Sequence, residues 1–398
     1  SPMAQVSLDM YQTLAIAVVA LLIGAWLKTK IKVLDRLCIP SPVVGGLLFS
    51  IITCVLYAAS IVDFKWDDTL KNVCMVIFFT SVGFQANVKV LKSGGKALIV
   101  LLFCVLFLIE AQDVIAVAVS NVIGVDPLIG LATGSISMVG GHGTAGAFGP
   151  VLEDMGVTGA TTVATAAATF GLVAGSLIGG PLGNNLIKKK DLLKTRVMGT
   201  DDLLVEEEEK HHRSISQYAP AAYQLAIAMG IGTLVSYLLS LTGMTFPIYI
   251  GAMIVAAIMR NIGEYTGKID IRIGEINDLG GICLSLFLGI AMITLKLWQL
   301  ADLALPMIIL LACQFVFMVL YARFVIFNAM GRDYDAAVLT AGSCGFGMGA
   351  TPNAMANMQV LTDKYGPSVK AFLLIPLIGS MFADFMNSLS ITLFINLI

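Results

Sequence analysis

The sequence predicts an all-α integral membrane protein with ten transmembrane helices plus two re-entrant hairpins in an inverted-topology repeat. Three observations carry this expectation. The 398-residue chain is 58% hydrophobic and only 13% charged, with a mean hydropathy of +0.89, too little polar surface to clothe a soluble globule of that size. Apolar runs of about 17 residues or more, enough to cross a bilayer, recur along the whole length, which a single signal peptide does not explain. The two halves also resemble each other at an offset of about 207 to 209 residues, and such repeats are sought before any motif is interpreted.

The candidate spans are residues 11–27, 41–62, 72–88, 97–123, 159–187, 218–241, 246–262, 279–297, 303–328 and 370–397, each apolar over the length a bilayer requires. Residues 126–148 and 333–357 differ. Both are Gly-rich in the middle, and each half, at 1.5 Å per residue, crosses only about half of the hydrocarbon. They are predicted to enter the membrane and return to the same side. Ser1-Pro2 ahead of Met3 reads as a cloning remnant.

With that arrangement every Lys and Arg falls on one side or the other. Lys28, Lys30, Lys32, Arg36, Lys89, Lys92, Lys96, Arg260, Lys268, Arg272, Arg323, Arg332, Lys364 and Lys370 share a side with the central loop, and only Lys65, Lys71 and Lys296 lie opposite. Cytoplasmic loops hold the positive excess, so both termini are expected in the periplasm and the central loop in the cytoplasm. That loop, 188–214, carries seven basic and seven acidic side chains and is read as a hydrophilic linker between a first repeat, 1–187, and a second, 215–398. Its His211 and His212 are adjacent in a charged segment and are read as solvated, not as metal ligands. The seven cysteines show no paired spacing and are read as small hydrophobes. A net charge of −2 advertises no nucleic-acid surface.

Three correspondences define the repeat: Ile39-Pro40 with Phe246-Pro247, residues 74–79 with 283–288, and 126–147 with 333–356. Five spans and one hairpin per half is an odd number of crossings. The second half must therefore insert upside down, with one hairpin entering from each side.

The hairpins are where chemistry is expected. Helix breaks at hydrocarbon depth cost several kcal/mol in unsatisfied backbone groups unless they line a protein-enclosed polar cavity. A broken helix offers N–H groups at a positive end for a carboxylate, and carbonyls at a negative end for Na⁺. A plain packing seam of small residues explains the glycines. It does not explain the accompanying Ser135, Ser137, Thr144, Ser343, Thr351, Pro352, Asn353 and Asn357. His142 could be a proton relay, a substrate donor or a structural hydrogen-bonding group, with the structural role favoured. Asp384, in the last span with Asn387 one turn later, is an intramembrane carboxylate and so functional by default; it could take a substrate ammonium or help hold Na⁺. Gly179-Gly180-Pro181 is expected to interrupt its helix ahead of Asn184, as an unwound ion site or as a plain proline kink. Glu110 and Asp113 are expected to reach the interface.

Thr133–Pro150 and Thr340–Gln359, containing GSISMVGGHGTAGA and SCGFGMGATPNAMANMQ, strongly resemble the two re-entrant motifs of the bacterial sodium/glutamate symporter family. The resemblance continues through IPSPVVGGLL (39–48), FFTSVGFQANV (78–88), TFGLVAGSLIGGP (169–181), CLSLFLGIAM (283–292), LKLWQLADLALPM (295–307) and GRDYDAAVLTAG (331–342). It implies Na⁺-coupled uptake of L-glutamate across the bacterial inner membrane by alternating access, with Na⁺ as coupling ion, no enzymatic activity, and a homodimer. On this reading Ser135, Ser137, Gly141, His142, Gly143, Thr144, Gly347, Gly349, Thr351, Asn353 and Asp384 contact substrate, and Ser343, Gly345, Asn357, Asn184 and Asn387 hold Na⁺. Ala145 stands where the family often has Gly, which bears on selectivity between glutamate and a related anion; a Na⁺- or H⁺-coupled carrier of another small carboxylate or amino acid is the alternative reading. A channel is disfavoured because filters are usually built by symmetric rings of subunits, and an intramembrane enzyme because no base constellation is evident.

Overall fold

In a computed structural model the chain is described over residues 3–93, 95–196 and 214–398; Ser1-Pro2, His211 and His212 lie outside the described residues. The helices are α1 (Met10–Lys30), α2 (Lys32–Arg36), α3 (Ser41–Ala58), α4 (Thr69–Gln85), α5 (Val88–Ser93), α6 (Gly95–Ile123), α7 (Pro127–Ala132), α8 (Gly141–Asp154) and α9 (Ala160–Lys189) in the first half. The second half holds α10 (Ile215–Ser240), α11 (Ile250–Thr266), α12 (Ile273–Ile293), α13 (Ala304–Leu320), α14 (Phe327–Ala329), α15 (Tyr334–Met348), α16 (Thr351–Tyr365), α17 (Val369–Pro376) and α18 (Asp384–Leu397). Strands β1 (Ala4–Ser7) and β2 (Val62–Lys65) pair in parallel, Ala4 opposite Val62, and tie the chain's start to the loop after α3. The alternation that forms them is too short to stand out beside the apolar spans.

Among the described residues eight helices are long and apolar enough to cross a membrane, and the pair Val369–Gly379 and Asp384–Leu397, bent by 44°, makes a ninth if taken as one span. The expected span at 246–262 corresponds to α11, whose 17 residues reach about 25 Å against a hydrocarbon core of roughly 30 Å. The chain is thus a multi-pass, all-α membrane protein.

The helices form two bundles. In one, α1 packs on α3 and α10 on α11, with α4 and α12 between them. Its contacts are close because small residues face each other: a methyl on Gly45 would overlap the Ala20 carbonyl, and one on Gly251 the Gly232 carbonyl. A methyl on Gly46 would strike Met292, and one on Gly83 the carbonyl of Met253. At the repeat offset these are the same contact with the halves exchanged. The other bundle gathers α6, α9, α13, α17 and α18 around the two Gly-rich segments.

The second Gly-rich segment is a helical hairpin. Gly342 abuts Met358 and Gly345 abuts Ala354, so α15 and α16 run back along each other from a break at Gly349-Ala350. The first has short α7, turns over 133–140, and then α8. Both outgoing arms run beyond the expected ends at 148 and 357: α8 continues through Pro150 to Asp154 ahead of Gly156 (φ +98°), and α16 runs to Tyr365 ahead of Gly366 (φ +115°). Gly179-Gly180-Pro181 does not interrupt its helix: α9 is continuous through Pro181. The glycine there serves packing instead, since a methyl at Gly179 would overlap the Asn357 amide of the second hairpin.

Candidate functional site

The two breaks meet. A Cβ on Gly141 would lie 3.3 Å from the Gly349 carbonyl, and Gly141 itself has φ +64°, which only glycine adopts cheaply. Beside this meeting point is a cavity of about 160 Å³ lined by both tips, Gly140 to Thr144 and Gly349 to Thr351, together with Asp384. Leu172 and Phe346 complete the wall on the hairpin side, and Pro40, Phe78, Leu284 and Leu288 come from the other bundle. The cavity therefore lies at the seam between the bundles.

Two helices begin at this cavity, α8 at Gly141 and α16 at Thr351. The first-turn N–H groups of a helix have no partner within it, and the helix dipole makes that end positive. Pro352 near the start of α16 removes one donor and fixes the turn. Asp384 opens α18 directly after a π-helical stretch, Leu377–Ala383, whose Gly379 abuts the Thr351 hydroxyl. The site thus combines two helix N-termini, a carboxylate and an apolar wall.

His142 is 6% exposed, and its Nε2 lies 2.8 Å from the Thr169 hydroxyl oxygen. That hydroxyl is 3.0 Å from the Thr165 carbonyl, the usual back-bond of a helical threonine. The hydroxyl proton is then engaged, so Thr169 accepts and the imidazole is assigned the Nε2–H tautomer, with Nδ1 left as an acceptor.

Of the expected substrate contacts, the structure brings Gly141, His142, Gly143, Thr144, Gly349, Thr351 and Asp384 to the cavity. The others lie outside its lining. Ser135 donates from its N–H (2.8 Å) and hydroxyl (2.7 Å) to the Asp113 carboxylate. The Ser137 hydroxyl turns to Gly134, Gly347 packs on Met318, and the Asn353 amide donates to Leu37 and Ser176.

The expected Na⁺ residues do not form one cluster. Ser343 donates to the Leu339 carbonyl, and Gly345 packs on Ala354. Asn357 donates to the Gly175 (2.9 Å) and Ala341 (3.2 Å) carbonyls, Asn184 accepts from Tyr365, and Asn387 donates to the Ser135 carbonyl (2.9 Å). Among the described residues no group of three or more His, Cys, Asp or Glu could hold a metal, and the cysteines are free.

The reading of Asp113 as interfacial is overturned. Asp113 is fully buried, because the break over 133–140 offers Ser135's two donors to it. Its signal was available in the sequence: a carboxylate at hydrocarbon depth is a functional candidate wherever it sits along a span.

A multi-pass bundle in which two helix breaks meet at a cavity on the seam of two bodies is the arrangement of a membrane transporter. The profile of the family described as "Sodium/glutamate symporter" matches residues 6–367. The chain is 39% identical over 410 residues to the sodium/glutamate symporter of Escherichia coli (strain K12), covering 98% of each chain, and equally to that of Shigella flexneri. It is 39% identical over 383 residues to that of Haemophilus influenzae, covering 95% of each. The chain belongs to the sodium/glutamate symporter family.

Proposed function

We propose that this protein carries L-glutamate into the cell by Na⁺-coupled symport across the inner membrane, with the cavity between the hairpin tips as its substrate site. The convergence of the α8 and α16 N-termini on a cavity that also holds Asp384 is the observation that carries this reading. The helix ends take the substrate carboxylates, with the hydroxyls of Thr144 and Thr351 beside them. Asp384 takes the ammonium, and Phe78, Leu284 and Leu288 cover the methylenes. Arg260 is engaged elsewhere, donating to the Phe84 carbonyl (2.8 Å) and Glu264 (3.1 Å), so backbone dipoles carry the anion. Na⁺ lowers the cost of burying a substrate of net negative charge.

Alternating access follows from movement of the hairpin-bearing bundle against the other, an elevator-like displacement. The exchanged contacts Gly46–Met292 and Gly83–Met253 support two inverted repeats, 1–187 and 215–398, joined by the cytoplasmic linker 188–214. In that topology α11 is the tenth span, the two Gly-rich segments are re-entrant, and both termini are periplasmic. A homodimer is the assembly the family implies.

Equilibrium binding of labelled glutamate to purified protein, in NaCl against choline chloride, tests the site. The expected result is Na⁺-dependent binding that Asp384→Asn weakens by about tenfold or more, the worth of a charge-assisted contact. Binding indifferent to both Na⁺ and the substitution would reject it.

A further inference from the structure

We infer that Asp113 on α6 and the side-chain oxygen of Asn387 on α18 form a Na⁺ site outside the glutamate cavity, flanked by Gln112 and Gln314. The inference rests on the sodium-coupled reading above and adds a location for the ion. Asp113 sits within a 29-residue apolar helix, and among the described residues no ion pair includes it. An ionised carboxylate in such a place needs compensation beyond hydrogen bonds. Ser135 supplies two donors, and a carboxylate has about four acceptor sites, so capacity remains for a cation.

The neighbouring amides point to the same occupant. Asn387, Gln112 and Gln314 are at most 1% exposed. Their nitrogens are each spent on a backbone carbonyl: Asn387 on Ser135 (2.9 Å), Gln112 on Gly347 (2.9 Å) and Gln314 on Gln112 (2.8 Å). A flip would set oxygen against oxygen, so the orientations are fixed. The amide oxygens of all three are buried without a partner. Asn387 and Asp113 hold opposite sides of the same residue, Ser135, and a Cβ on Gly134 would meet the Asp113 Oδ1 at 2.5 Å and the Gln112 carbonyl at 3.3 Å.

The unsatisfied atoms of these three amides are all oxygens, on residues linked to Asp113 through its chain neighbour Gln112 and its partner Ser135, and among the described residues no basic side chain pairs with that carboxylate. A buried orphaned oxygen requires an explanation, and a hard cation held by the Asp113 carboxylate and the Asn387 oxygen supplies one. The placement also suits coupling. Gln112 reaches the second hairpin at Gly347 and Asp113 reaches the first at Ser135, so an ion here fixes the turn that leads into Gly141 and the cavity.

The test is thermal unfolding of purified protein without glutamate, titrated with NaCl against choline chloride, for wild type, Asp113→Asn and Asn387→Ala. The expected result is a wild-type midpoint that rises with Na⁺, a response absent in Asp113→Asn, and a Na⁺ requirement raised about 10-fold or more in Asn387→Ala, as for a damaged ligand set. If Asp113→Asn does not fold, Asn387→Ala decides alone. Variants with lower midpoints but a wild-type Na⁺ response would leave only a structural, water-filled cluster and overturn the site. A wild type with no Na⁺ response would overturn the sodium-coupled reading itself, and the site with it.

Discussion

Replacing Thr169 by Val removes one hydroxyl while keeping the side chain's shape. The Thr169 oxygen accepts from His142 at 2.8 Å, and at 6% exposure the imidazole has almost no access to water. An orphaned buried donor costs about 1–3 kcal/mol. At roughly 1–2 °C per kcal/mol for a chain of this length, below the about 2–4 °C of medium-sized domains, Thr169→Val should melt roughly 1–6 °C below wild type. His142 also lines the cavity. If all of that energy serves to hold the imidazole in its bound geometry, glutamate affinity falls by about 5- to 150-fold, since 1.4 kcal/mol is tenfold. Thr169→Ser keeps the oxygen and should stay near wild type. The assay is scanning fluorimetry with labelled-glutamate binding on both variants. Equal melting and equal affinity for Val and Ser would refute the assignment of His142 as a donor held by Thr169.

Other substitutions probe the packing. Gly171→Ala puts a methyl into the Met348 carbonyl of the second hairpin and should cost about 1–3 kcal/mol or more by overpacking. Gly180→Ala on the same helix meets only Val360, at 3.9 Å, and should be neutral or stabilising by up to about 1 kcal/mol; melting of the pair checks both. Gly141→Ala must hold φ +64° at about 1–2 kcal/mol, and its methyl faces the Gly349 carbonyl, so glutamate binding should fall more than that of Gly180→Ala. Arg260→Met deprives the Phe84 carbonyl, at the end of α4, of its side-chain donor and should lower the midpoint while leaving glutamate affinity unchanged.

The apolar helices and the breaks in both Gly-rich segments were legible because hydropathy and glycine clustering are local properties of the chain. The tip residues Gly141 to Thr144 and Gly349 to Thr351 were legible for the same reason: a break at hydrocarbon depth needs a polar environment, and both breaks reach one cavity. Packing partners were not legible. Gly179-Gly180-Pro181 carries a breaker's signature, yet α9 stays helical, and close approach of Asn357 selects the glycine. Ser135 and Asn387 look like ligands in sequence, and only the fold shows that Ser135 donates to a buried carboxylate, Asp113, that position along the span had placed at the interface, while its carbonyl accepts from Asn387. The strand pair β1–β2 joins segments more than fifty residues apart, a pairing that no local pattern announces.

Glutamate uptake into proteoliposomes, driven by an inward Na⁺ gradient against an equal K⁺ gradient and run beside Asp384→Asn, tests the central claim most directly. Concentrative uptake that requires Na⁺ and is lost in the variant is the predicted result. No uptake in either gradient, with an active transporter as control in the same lipid, would contradict the account; Na⁺-driven uptake untouched by the substitution would remove Asp384 from the site.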